Sequence, residues 1–523
     1  MGKGVTRLSS ENILHRAYKK IFHEGFKGSF TAGALILMGA GFAVRLLGFV
    51  NRIYLSNLIG AEGMGLVQLA SPVYALIILT LTSGVSITVS GMTAREKARG
   101  NPGSAVKICK TAFLLLLPIG GLCGLGLFFS ADFLSEYVLH DYRTKLSLMM
   151  LAPCIPAVAA ASALKGYFYG MSKMTPTALS QIVEQVVRIS CIFALASVIG
   201  GKNLEWACAL ALISAAFGET ANLLVVAIAF YRETRHPGAE LPGFSKRIAA
   251  KEVLTGAVPI SFHRFLVSIL GIVETVLLPA RLLCGGLNYT ESIETLGRIS
   301  GMCMPLIAFP TLVTSALATT LVPAISQAVA KENYKLANRR ISRSIRLSFI
   351  MGFLCFALFY TFGGPIAEIC YGDGGVGVLL VSLSHCCILM YVQQTMNGIL
   401  NGLGKQTYSL ISTLIGYAVR IGAIWFLVPI YGVSAYIWGD LCGMAIMVVM
   451  NLVYIARCTS MPLELGKWIL SPAMPGVAFV VVGRMLSSTA LCGSLPGFAV
   501  ALGLCSLAAL AVYGMMGVFG KKG

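Results

Sequence analysis

Apolar runs of about twenty residues, the length of an α-helix that crosses a bilayer core, follow one another along almost the whole chain. Short polar or basic stretches separate them. They predict fourteen spans, at 31–51, 66–91, 110–130, 147–168, 179–199, 206–230, 253–280, 298–325, 347–365, 378–400, 408–428, 433–455, 468–487 and 495–515. A large soluble protein can bury a few such segments but not a dozen in succession, so the expected fold is an all-α polytopic membrane protein. Residues 1–30 read as a basic amphipathic N-terminus and 31–230 as a lobe of six spans. A basic linker at 231–252 leads to a second six-span lobe, 253–455, and 456–523 hold two further spans and a tail. Pro153 with Pro156, and Pro305 with Pro310, mark the helices most easily bent, because each pair removes amide donors in neighbouring turns.

The two lobes share a pattern. Lys165-Gly166-x3-Gly170-x2-Lys173 returns as Asn397-Gly398-x3-Gly402-x2-Lys405, 232 residues later, and the register holds to Arg188 and Arg420. Upstream, Glu62, Gly65, Ser83, Asn101 and Ala105 have counterparts at Glu294, Gly297, Ser315, Asn333 and Ala337. Such an offset indicates duplication. An even number of spans between the two starts gives the lobes the same orientation, related by an axis along the membrane normal, a usual plan of alternating-access transporters.

Charged residues make up only 12% of the 523 positions, about half the share in a soluble protein, yet the formal net charge is +19. Their distribution explains the excess. With the N-terminus inside, clusters at Arg95–Lys110, Arg232–Lys251 and Lys331–Arg346 fall on the cytoplasmic side, the positive-inside pattern. The basic pI is thus membrane topology, with both termini cytoplasmic and lipid, not nucleic acid, as the charged neighbour. The fifteen cysteines are scattered, many of them inside spans, with no CxxC pair, so no metal site is indicated. The chain has no GxxxxGK[ST], HExxH or GxSxG and no loop long enough for a catalytic domain. Neither an enzyme nor a bound cofactor is expected.

Ionisable residues inside spans carry the functional signal, because a charge at membrane depth costs several kcal/mol unless it is paired or faces water. Arg45 and Arg52 lie one heptad apart in the first span, so both can line one cavity as a clamp for a diphosphate or a carboxylated glycan. The alternative for Arg52 is snorkelling to the interface. The seventh span carries Arg264, Glu274 and Arg281, and we take Arg45, Arg52, Arg264 and Arg281 as the candidate substrate-binding set. Glu274, Glu219 and Asp440 are candidates for coupling to H+ or Na+ or for balancing charge. Glu184 and Arg188, spaced i,i+4, pair within one helix or line a secondary cavity with Arg420. Arg420 has Gly416 where Arg188 has Glu184, and so needs a counter-charge from another helix, with Asp440 in the following span a candidate.

Arg45-Leu-Leu-Gly-Phe-Val-Asn51-Arg52, followed by Leu58-Ile-Gly-Ala-Glu-Gly-Met-Gly65, resembles the opening of the polysaccharide-exporter branch of the MATE-like multidrug/oligosaccharidyl-lipid/polysaccharide superfamily. Lys165–Gly170 and Gly398–Lys405 are similar to its Gly-rich helix ends, and the resemblance extends over essentially the whole chain, nearest to its sporulation-type members. It implies a V-shaped pair of six-helix lobes around a central cavity that opens alternately to each side. It also implies, as substrate, an undecaprenyl-pyrophosphate-linked glycan such as a peptidoglycan precursor, with cell-wall synthesis proteins as partners. The superfamily's lipid II flippases carry an RxLGFxRD-like segment in the first helix; Arg45 matches its first arginine, while Asn51-Arg52 stands where the pattern has Arg-Asp. A cluster of arginines repels the amphipathic cations of a drug exporter and suits an anionic lipid-linked headgroup. Multidrug efflux is the alternative reading, and a non-transporting scaffold in cell-wall or sporulation assembly a further one.

Overall fold

A computed structural model describes residues 30–199, 203–235, 246–487 and 495–515, which are helical apart from short connections. The N-terminal segment 1–29 and the middle of the expected linker, 236–245, lie outside the described residues. The first half comprises α1 (Phe30–Ala98), α2 (Pro102–Phe133), α3 (Lys145–Leu151), α4 (Cys154–Gly170), α5 (Thr175–Ile199) and α6 (Leu204–Glu233). The second comprises α7 (Lys246–Cys284), α8 (Tyr289–Leu296), α9 (Met304–Ala308), α10 (Thr311–Ala330), α11 (Tyr334–Tyr371), α12 (Gly374–Leu383), α13 (Cys386–Gly402), α14 (Gln406–Phe426), α15 (Val428–Tyr431) and α16 (Val433–Thr459). α17 (Ser471–Ser487) and α18 (Leu495–Met515) pack on α11 through Phe362, Phe479, Ala501 and Cys505.

Ten helical stretches among the described residues are long and apolar enough to cross a membrane, or eleven if α12 and α13 form one span bent by 55°. Fourteen were expected, and three local features account for the difference. α1 runs on through both of the first two expected spans, interrupted only at Gly60, whose φ of 71° lies in the left-handed region. The expected span 298–325 is divided into a π-helical stretch, Gly297–Cys303, then α9 and α10, which meet at Phe309 and Pro310. In the last expected span, the described apolar stretch is Val500–Gly514.

The 232-residue offset recurs in three dimensions. The carbonyl of Ser90 lies 2.5 Å from where a Cβ on Gly170 would stand, and the carbonyl of its repeat mate, Val322, lies 3.1 Å from the same point on Gly402. Gly120 against Pro156 recurs as Gly352 against Ile388. Helices in a membrane associate largely by close backbone packing, which small residues permit. Turn geometry recurs too: left-handed φ values at Gly100, His140 and Ser172 return at Glu332, Gly372 and Gly404. In each pair one copy has glycine and the other carries a side chain in a conformation that costs about 1 kcal/mol or more. We therefore expect His140→Gly, Ser172→Gly and Glu332→Gly each to raise the thermal midpoint of the purified protein by one to a few degrees, roughly what 1 kcal/mol gives in a large chain. A lowered midpoint in all three would count against this account.

A candidate transport site between the two halves

The repeat axis can be located from residues that touch their own mates. Gly65 packs on the carbonyl of Ile293, and Gly297 packs on the carbonyl of Ala61. One turn further on, Gln68 Nε2 donates to the carbonyl of its mate, Ser300, at 3.0 Å. Beside this contact lies a cavity of about 470 Å³. α1 lines it with Ser71, Pro72, Ala75 and Leu79, and α7 with Val267, Ser268, Gly271, Glu274 and Thr275. Ser300 and Met304 lie on a third wall, and Tyr417, Arg420 and Tyr436 come from α14 and α16. Hydroxyls and one charged cluster thus make up its polar surface.

That cluster joins three helices. Arg420 Nη2 donates to Glu274 Oε1, and Arg420 Nε stands 2.8 Å from Asp440 Oδ1, close but without hydrogen-bond alignment. Tyr436 donates to Glu274 at 3.4 Å, and Cys386 Sγ lies 3.5 Å from Asp440 Oδ2. Glu274 and Asp440 are buried, so two acids face one base. α16 comes this close to α14 because Gly443 lies on the carbonyl of Gly416 and the stem of Arg420. The first half holds a related group. Arg188 pairs with Glu184 at 2.9 Å and with Glu219 at 3.7 Å, and Asn222 Nδ2 donates to Glu184 at 2.8 Å and Glu219 at 3.3 Å. Here Gly218 packs on the carbonyl of Glu184. Each repeat-related arginine therefore sits between two carboxylates, with the acids drawn from different helices in the two halves.

The four candidate substrate arginines are placed differently from one another. Arg52 is not itself among the lining residues and is engaged at the cavity's edge, donating from Nε to the carbonyl of Gly301 (2.9 Å) and from Nη2 to that of Ser300 (3.1 Å). Arg281 stacks on Trp425, with its guanidinium carbon 3.2 Å from the ring centroid. Arg264 is exposed. It falls on the stripe of α7 that continues through Ser268, Gly271, Thr275 and Leu278 at i+4, i+7, i+11 and i+14, all cavity residues. Arg45 is also exposed, on the stripe of α1 that continues through Phe49, whose ring lies tilted 4.9 Å from that of Phe309, to Arg52. Both stripes turn towards the opposite half. Arg45 and Arg264 are thus the two of the four without an ion pair, hydrogen bond or aromatic-ring contact among the described residues.

The end of the bundle opposite the basic clusters has its own charged pattern, which sequence reading missed. Arg143 bridges Glu62 (2.6 Å) and Asp141 (2.9 Å). Arg298 bridges Glu294 (3.2 Å) and Asp373 (2.8 Å). The four acids are repeat mates, but the arginines are not: the mate of Arg143 is Gly375, whose vacant side-chain position is 3.3 Å from Arg298 Nε. The offset between Asp141 and Asp373 was the available signal. Burial alone would raise the Asp373 carboxyl, but hydrogen bonds from Arg298 and from the Gly375 amide hold it below the ordinary aspartate range. Tyr289, at the start of the helix that carries Glu294, donates to the carbonyl of His140 at 3.1 Å and lies under Arg143, joining that helix to the first-half clip.

Among the described residues no group of three or more His, Cys, Asp and Glu side chains is arranged to hold a metal. A family model described as polysaccharide biosynthesis protein matches residues 30–329, and one described as MatE matches residues 259–426. Stage V sporulation protein B of Bacillus subtilis is 28% identical over 473 residues, 88% of this chain and 89% of that protein. Lipid II flippase MurJ of the same organism is 24% identical over 412 residues, covering 74% of this chain and 75% of its own. An inward-facing multidrug resistance MATE family transporter of the MOP superfamily superposes with a TM-score of 0.67 at 15% identity, over 82% of this chain and 98% of that one. The chain belongs to the polysaccharide biosynthesis protein family and has the fold of the MOP-superfamily membrane transporters.

Proposed function

We propose that this protein is an alternating-access carrier that moves an anionic, lipid-linked glycan across the bacterial cytoplasmic membrane, with the basic end of the bundle in the cytoplasm. The observation that carries the reading is the exposed, unpaired guanidinium of Arg264 on the cavity stripe of α7. A cation kept without a counter-ion at membrane depth is stable only in water, and a watery inter-lobe space is where a pyrophosphate headgroup has to travel. Arg45, on the facing stripe of α1, is the second ligand, and the serine and tyrosine hydroxyls above it suit sugar. The isoprenoid tail stays in lipid. Kinship with the family described as polysaccharide biosynthesis protein, and similarity to a lipid II flippase, supports the same substrate class.

In proteoliposomes, Arg264→Ala should lower translocation of a labelled undecaprenyl-pyrophosphate glycan at least about tenfold, the effect of losing one charge-assisted contact. The thermal midpoint should hardly move, because the side chain has no fold partner to lose. Unchanged translocation would remove Arg264 from the substrate path.

A second reading, ion-coupled export of amphipathic cations, is favoured by the excess acid around Arg420, with Glu274 on the cavity wall and Asp440 behind it. The MatE match over 259–426 points the same way. Accumulation of ethidium under an imposed proton or sodium gradient, abolished by Glu274→Gln, would establish it. Under either reading Glu274 is the coupling candidate, because it alone of the two acids lines the cavity.

A further inference from the structure

The carbonyls that hold Arg52 are free for a reason written in the chain. An α-helix would bond the Gly301 carbonyl to the amide of residue 305, and a π-helix would bond the Ser300 carbonyl to the same amide. Residue 305 is proline and has no N–H to give. The amide of Met304 reaches back to Ile299 instead, leaving Ser300 unserved from within its own helix. Two acceptors are therefore left bare in the middle of the protein, where unmet backbone groups are costly.

Both are satisfied from the other half. Arg52 serves Gly301 at 2.9 Å and Ser300 at 3.1 Å, and Gln68 serves Ser300 at 3.0 Å. Ser300 also lines the cavity, so these bonds lie at its boundary on the repeat axis. Asn57, five residues beyond Arg52, reinforces them by donating to the carbonyl of Cys370 at 2.9 Å. An opening of the cavity towards the end that carries the Asp141 and Asp373 clips must separate α1 from the second half, from the Gly297–Cys303 stretch and from α11, and every one of these bonds crosses that line.

We propose that Arg52, with Gln68, is the positioning residue of a gate: it holds the two halves together over the proline-vacated carbonyls of Ser300 and Gly301, and it lets go when the cavity opens to the clip end. A guanidinium suits the task because its fork places two donors in fixed geometry on adjacent carbonyls, which a lysine head cannot do. The gate presumes the alternating-access carrier proposed above but no particular substrate. It assigns Arg52 to the conformational cycle, while Arg264 and Arg45 stay with the cargo.

The test reads distance and needs no cargo. Ketone-bearing amino acids at the exposed positions Tyr137 and Tyr431, spin-labelled through the ketone so that the native cysteines stay untouched, report separation at the clip end by pulsed electron resonance in nanodiscs. In the wild-type background the short distance should dominate. Arg52→Ala should raise the ratio of long to short distances by about tenfold or more, the scale expected for charged hydrogen bonds to buried carbonyls. Arg52→Lys should restore part of the shift, and Gln68→Leu should produce a smaller one. Pro305→Ala gives Ser300 and Gly301 an amide of their own and should loosen the gate with Arg52 intact. An unmoved distribution in Arg52→Ala, in protein that elutes and melts like wild type, overturns the proposal. If Arg52→Ala fails to fold, Pro305→Ala and Gln68→Leu decide, and no shift in either overturns it. A failed glycan-translocation assay would remove the substrate reading and leave this measurement standing.

Discussion

Arg420→Met should destabilise the protein by about 3–5 kcal/mol, the cost of removing one partner from a buried ion cluster. Glu274 and Asp440 would then face each other across α7 and α16 with no base between them. Water cannot relieve them fully, since Asp440 is 1% exposed and Glu274 8%. The expected readout is a large fall in thermal midpoint and in the yield of monodisperse protein. Adding Glu274→Gln and Asp440→Asn should recover most of the loss, because the cost lies in the unbalanced acids rather than in the missing arginine. Arg188→Met offers the comparison. Its side chain is 27% exposed against 13% for Arg420, so solvent screens its two carboxylates better and the penalty should be smaller. A wild-type midpoint for Arg420→Met would mean that the cluster contributes nothing to the fold.

Gly297→Leu should have a comparable effect by steric means. The position a Cβ would take at Gly297 is already occupied by the carbonyl of Ala61 and lies 2.7 Å from the amide nitrogen of Gly65. Backbone cannot swing aside as a side chain can, so the substitution must push α1 and the Gly297 stretch apart. Overpacking of this kind costs about 1–3 kcal/mol for one or two extra carbons and more for a full side chain. We expect Gly297→Ala to lower the midpoint measurably and Gly297→Leu to fail to give folded protein. Gly121→Ala is the control, because nothing lies within 4 Å of its Cβ position, so it should be neutral or mildly stabilising through better helix propensity. Equal midpoints for Gly297→Leu and Gly121→Ala would show that the halves do not meet at this contact.

Much of the architecture was legible from local pattern. Apolar length placed most helices, and the pair Gly65 and Gly297, singled out by spacing alone, is where the halves touch. The i,i+4 pairing of Glu184 with Arg188 followed from helical geometry. The span count was less legible. A hydropathy window does not register that α1 continues past Gly60, nor that proline and a π-helical stretch divide the chain after residue 297.

The candidate site was legible in kind but not in assignment. The sequence by itself determined a duplicated, all-helical membrane protein with basic and acidic side chains held at membrane depth, because length, period and spacing are properties of short stretches of chain. Only the tertiary structure decided which charges are occupied. Glu274 meets Arg420 across 146 residues, Arg52 meets carbonyls 248 and 249 residues away, and Arg281 lies on Trp425. Arg45 and Arg264 are left exposed, with no ion pair, hydrogen bond or ring contact among the described residues. The partner of a buried charge is set by whichever helix face or vacated carbonyl comes within about 3 Å of it, a distance that depends on the packing of helices far apart in the chain.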